Sequence, residues 1–72
     1  MSENHISNSI RRLRFEHAEM TQQALAERIG VTRQTVNAIE QGKYSPSLEV
    51  AFRVALVFGQ PLEAVFQYQE NA

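Results

Sequence analysis

Apolar residues recur at helical spacing in five stretches of the chain, separated by glycine, proline and hydroxyl residues. From 8 to about 17, NSIRRLRFEH turns Ile10 and Leu13 inward with Phe15 or Ala18, and Asn8 or Ser7 offers a cap. From 22 to 29, Ala24, Leu25, Arg28 and Ile29 fall at helical spacing, with Thr21 as capping oxygen and Gly30 as a left-handed stop. After Val31, Thr32 caps a helix over 33–41 that turns Val36 and Ile39 inward and ends at Gly42. The stretch 48–58 follows a Ser47 cap and is apolar nearly all round; its wheel turns Leu48, Ala51, Phe52, Ala55 and Phe58 inward, with Val50 and Val57 opposite. Gly59 stops it, and Pro61 suits the first turn of a short last helix that faces the core through Leu62 and Val65. This pattern predicts an all-α fold: one domain over 8–68, a flexible leader at 1–7 and a tail at 69–72.

The middle pair, TQQALAERIGVTRQTVNAIEQG, reads as two short helices joined by a tight turn. At about 100° per residue, Gln34, Asn37, Ala38 and Gln41 fall opposite the apolar side of the second helix, with Arg33 on the flank. Glutamine and asparagine pair bidentately with adenine in the major groove, and arginine pairs with guanine. An arbitrary cluster of such residues is usually a solvated face. Here the cluster lies in the first turns of the second helix of a helix-turn-helix, where that motif meets base edges, so the pattern points to sequence-specific DNA binding through Arg33, Gln34, Asn37 and Ala38.

With those residues in place, the chain resembles the short stand-alone Cro/CI-type (XRE) helix-turn-helix regulators. Gln22, Ala26, Gly30, Val31, Ile39, Gly42 and the PSLE element from Pro46 occur together at the family's spacing, and the likeness runs over roughly 8–68. The resemblance implies a compact five-helix, lambda-repressor-like domain with the helix-turn-helix in helices 2 and 3. It also implies a homodimer on double-stranded, palindromic operator DNA. The DNA backbone contacts fall to Gln22, Gln23, Thr32, Thr35, Lys43 and Tyr44, and Tyr44 serves equally well as packing under its loop. In family terms Arg14 matches the arginine that pairs with the glutamate ending the recognition helix, here Glu40. One extra residue between Arg14 and Thr21 departs from the commonest family spacing. The two-fold interface is assigned to Val57, Leu62, Val65, Phe66 and Tyr68, an apolar set that otherwise completes the core or invites aggregation.

Composition removes competing classes. Seventy-two residues make one domain near the lower size limit of a single unstapled core. With no cysteine and only His5 and His17, neither a disulfide frame nor a metal site is expected, and no cofactor is. No apolar run approaches the ~20 residues of a membrane span, and MSENHISNS does not read as a signal sequence. A cytoplasmic, nucleoid-associated protein is expected. The formal net charge of −1 departs from the basic balance of most DNA binders, so few phosphate cations and positioning by neutral donors are expected. No nucleophile–base set or glycine-rich phosphate loop supports an enzyme. Two other classes share the fold: an antitoxin whose main partner is a protein and whose DNA autoregulation is secondary, and a restriction-modification controller.

Overall fold

Three hydroxyl side chains set the starts of the middle helices in the computed structural model, which describes residues 5–70. Thr21 accepts from the Ala24 N–H at the head of α2 (Gln22–Ile29). Thr32 does the same from Thr35 for α3 (Arg33–Glu40), and Ser47 from Val50 for α4 (Leu48–Phe58). Each bond satisfies one of the donors that a helix start leaves open. Gly30 closes α2 at φ 79°, and a Cβ there would also stand 3.1 Å from Arg53 Nη1, which donates to the Ile29 carbonyl. The residue thus has both a conformational and a steric reason to be glycine.

The first helix, α1 (Ile10–Glu16), and the last, α5 (Leu62–Val65), close over the α2–α4 core. Ile10, Leu13, Leu25, Ile29, Val36, Ile39, Val54, Phe58 and Val65 form one buried cluster. The fold is therefore the expected five-helix one, with α2 and α3 as the helix-turn-helix pair.

A small sheet was not foreseen. β1 (Ile6–Asn8) pairs antiparallel with β2 (Phe66–Tyr68), with Ile6 opposite Tyr68 and Asn8 opposite Phe66. The flexible leader expected over 1–7 thus contributes Ile6 and Ser7 to a strand, while residues 1–4 and 71–72 lie outside the described residues. In the expected tail, Gln69 donates from its backbone to the His5 carbonyl and from its side chain to Ser7. Asn8 does not cap α1 as Ncap; Ser9 holds that place without a side-chain bond. Asn8 Oδ1 instead accepts from Ile10 N, and its Nδ2 donates to the Ile39 carbonyl at 3.0 Å, clamping β1 to the end of α3.

The expected facing of α4 is corrected. Ala51, Val54, Ala55 and Phe58 are buried, and Val50 and Val57 pack against the core, whereas Leu48 is 68% and Phe52 49% exposed. In a helix apolar on every side, residue size does not select the inward stripe; the neighbours do. Phe15 and Ala18 are likewise exposed. The extra residue before Thr21 is absorbed in a turn where Ala18 and Glu19 both take left-handed φ, 58° and 54°.

Candidate nucleic-acid interface

The α2–turn–α3 unit presents the first turn of α3 to solvent. Arg33 and Gln34 are exposed there, and Asn37 and Ala38 stand half-buried one turn further on. Among the described residues, Arg33, Gln34 and Lys43 form no ion pair and no side-chain hydrogen bond. Their polar ends are free for a ligand. Lys43 and Tyr44 are exposed in the segment that follows Gly42. Thr32 and Thr35 bond to each other through their hydroxyls at 3.0 Å while Thr32 caps α3, so both help to build the helix start. Gln23 is held along α2 by Glu27 at 3.0 Å.

Behind this face lies a charged network. Arg14 Nε donates to Glu40 Oε2 at 2.6 Å and Nη2 donates to Oε1 at 3.1 Å, a two-pronged contact with both side chains mostly buried. The remaining Nη1 donates to the Met20 carbonyl at 2.8 Å, which ties down the end of the left-handed turn. The family-like pairing of Arg14 with Glu40 therefore survives the extra residue. The same carboxylate receives Gln22 Nε2 at 3.2 Å, and that Nε2 also donates to Asn37 Oδ1 at 3.2 Å. Gln41 Nε2 adds a second bond to Asn37 Oδ1 at 3.3 Å. The family resemblance implies a phosphate contact for Gln22, and the residue type and placement of Asn37 point to a base contact. The fold couples them to each other and to Glu40. Separations of 15 and 18 residues leave no local sequence signal for such contacts.

The network floors a polar cleft of about 410 Å³ beside α3, which Arg11 and Gln41 also line. Elsewhere an apolar groove of about 300 Å³ is lined by Ile6, Pro46, Leu48, Ala51, Leu62 and Phe66. Two of the five residues expected at a two-fold interface, Leu62 and Phe66, belong to that groove, and Tyr68 is exposed near it in sequence. Of the other two, Val65 is fully buried in the core, which removes it from the interface, and Val57 is half-buried against the core, as Leu62 and Phe66 are. Val65 fills the interior at the point where α5 runs into β2. Among the described residues, no three His, Cys, Asp or Glu side chains gather as a metal site, and no helix is long and apolar enough to cross a membrane.

Comparisons with known proteins show the family and the fold. The profile of a family described as Helix-turn-helix matches residues 10–65. An uncharacterized HTH-type transcriptional regulator of Methanocaldococcus jannaschii is 44% identical over 66 residues, covering 92% of this chain and 98% of that one. A second such regulator, YgzD of Bacillus subtilis, is 42% identical over the same shares of the two chains. The cryptic phage CTXphi transcriptional repressor RstR of Vibrio cholerae is 39% identical over 90% of this chain and 58% of its own. In three dimensions the chain is similar to a crystal structure of a candidate DNA-binding protein from Bacteroides fragilis. The TM-score is 0.73 at 22% identity, with 86% of this chain and 98% of that one covered. This last likeness bears on the fold alone.

Proposed function

The chain belongs to the helix-turn-helix family as a transcriptional regulator with a helix-turn-helix DNA-binding domain, and from that premise we propose that it represses transcription by binding a palindromic operator as a homodimer. In each half-site α3 enters the major groove, with Arg33, Gln34, Asn37 and Ala38 toward the base edges. Lys43, Tyr44 and the backbone N–H groups that open α2 at Gln22 and Gln23 meet phosphates, where the helix dipole favours an anion. The observation that carries the reading is the set of free polar ends, Arg33, Gln34 and Lys43, on and just beyond a helix whose opposite side is locked into the core through Val36 and Ile39.

Dimerisation is supported by the exposed Leu48 and Phe52 beside the apolar groove, a surface that a lone domain of this size would leave wet. Two copies related by a two-fold axis bring two α3 helices to half-sites about 34 Å apart, one turn of duplex. Bound there, the dimer occludes polymerase. RstR, a relative described as a repressor, supports the sign of regulation.

The test is fluorescence anisotropy with footprinting, on the DNA upstream of the protein's own gene against random duplex at ~150 mM salt. Saturable binding at least ~1,000-fold tighter on a palindromic footprint is expected. Gln34→Ala should cost roughly 1–3 kcal/mol and relax one base position, whereas Lys43→Ala should weaken all sequences alike and flatten the salt slope. Equal losses on operator and random DNA for Gln34→Ala would remove it from the reading face.

A further inference from the structure

We propose that Asn37 meets DNA as a hydrogen-bond donor only, its amide turned that way by a relay that starts at the Arg14 guanidinium and passes through Glu40 and Gln22. The inference rests on the reading that α3 lies in the major groove.

The orientation follows from donors and acceptors that cannot change roles. A guanidinium only donates and an ionised carboxylate only accepts. Arg14 grips both oxygens of Glu40, so the group that faces Glu40 Oε1 at 3.2 Å must be the NH2 end of Gln22, since a flipped amide would set oxygen against oxygen. The second hydrogen of that NH2 points at Asn37, 3.2 Å away. Asn37 must therefore turn its oxygen to Gln22, because NH2 against NH2 leaves two donors without an acceptor. Gln41 Nε2 donates to the same oxygen at 3.3 Å.

Both lone pairs of Asn37 Oδ1 are then in use, and among the described residues its Nδ2 has no hydrogen-bond acceptor. The paired contact of asparagine with adenine requires the oxygen for N6–H and the nitrogen for N7. With the oxygen committed, Asn37 presents two N–H hydrogens and no acceptor, which fits the adjacent pair N7 and O6 of guanine, or a phosphate oxygen, better than the single acceptors adenine N7 and thymine O4. The relay also uses both hydrogens of Gln22 Nε2. Its side chain is accordingly a positioning group for Asn37, and not a phosphate donor.

The experiment is selection of duplexes from a randomised library by the full chain, followed by affinities on single-base variants, for wild type, Asn37→Ala and Gln22→Met. If the base edge is the acceptor, the position whose preference Asn37→Ala erases carries guanine, favoured roughly fivefold or more over adenine. Gln22→Met, which leaves Gln41 as the one donor to Oδ1 and so frees a lone pair there, then moves that preference toward adenine; a Gln22 that only held a phosphate or the fold would lower affinity and leave the base unchanged. If a phosphate is the acceptor, Asn37→Ala weakens every duplex by a similar factor and alters no base preference. Adenine at the Asn37-dependent position of the wild type overturns the proposal, and so does an Asn37→Ala variant that binds and selects like wild type. Failure of the groove reading itself looks different: Gln34→Ala as well as Asn37→Ala would then leave the selected sequence unchanged.

Discussion

Arg14→Ala should be the most damaging single substitution outside the apolar core. Arg14 and Glu40 side chains are only 15% and 8% exposed, and three hydrogen bonds leave the guanidinium: two to the carboxylate and one to the Met20 carbonyl. A solvent-exposed pair contributes below about 1 kcal/mol. A buried pair broken from one side costs about 3–5 kcal/mol, because the surviving charge keeps its desolvation penalty without its partner. Here the surviving Glu40 carboxylate would keep only the Gln22 N–H as a side-chain donor. A domain this small has roughly 4–11 kcal/mol in total at 0.05–0.15 kcal/mol per residue. The loss is therefore a large share of its stability, and at about 4–8 °C per kcal/mol it lowers Tm by at least ~12 °C. Circular dichroism melts and urea titrations measure it. Arg14→Lys should recover only part of the loss, since a point charge cannot hold both oxygens and the Met20 carbonyl in the fixed fork. The double variant Arg14→Met with Glu40→Leu should return to within about 1 kcal/mol of wild type or exceed it, as an apolar replacement leaves no charge unpaired. A cost for Arg14→Ala below about 1 kcal/mol would refute the reasoning, and so would a double variant as unstable as the single.

Ala18 holds φ 58° in the turn before α2, so Ala18→Gly should stabilise the fold by about 0.5–1 kcal/mol and raise Tm by a few degrees; an unchanged or lower Tm would show that the turn carries no strain there. Phe52 lies on the exposed stripe of α4, and Phe52→Glu should give a folded monomer with weakened operator affinity, read by light scattering and anisotropy. A charged variant that fails to fold would put Phe52 in the monomer core instead.

What could be read ahead of the structure was what is decided locally. Thr21, Gly30 and Thr32 mark the ends of α2 and the start of α3 because each acts on backbone groups within four residues of itself. The exposed first turn of α3 follows from helical phase, since Val36 and Ile39 are the apolar residues that phase it. The Arg14–Glu40 pair was legible only through family likeness, its partners lying 26 residues apart. The facing of α4 was not legible, because Val54 and Phe52 are equally apolar and only the neighbouring elements distinguish them. Nor was the sheet: Ile6, Ser7 and Asn8 show no alternation long enough to mark a strand, and their pairing with residues 66–68 is decided by how α5 ends.

The charge balance, the one compositional feature at odds with DNA binding, resolves once the ion pairs are counted by place. Arg12 pairs with Glu16, Arg53 with Glu49 and Arg14 with Glu40, so three of the seven cations have a carboxylate partner within the chain. Of the other four, Arg11 lines the cleft beside α3, Arg33 opens that helix, Lys43 follows it and Arg28 lies in the last turn of α2, none of them in an ion pair among the described residues. Glu40, the acid within α3, is held by Arg14 and largely withdrawn from solvent. The proposed groove thus has unpaired cations on and beside α3 although the chain's formal net charge is −1. Four unpaired cations per protomer neutralise at most four phosphates, which bounds the salt slope near −3.6 per protomer at about −0.9 per contact. Binding on that scale gives nonspecific DNA little electrostatic hold, and it leaves discrimination to the free side chain of Gln34 and the oriented amide of Asn37. A charge-locked relay behind α3 is therefore of most use in a regulator with so few cations: fixing the direction of a neutral donor supplies the selectivity that charge cannot.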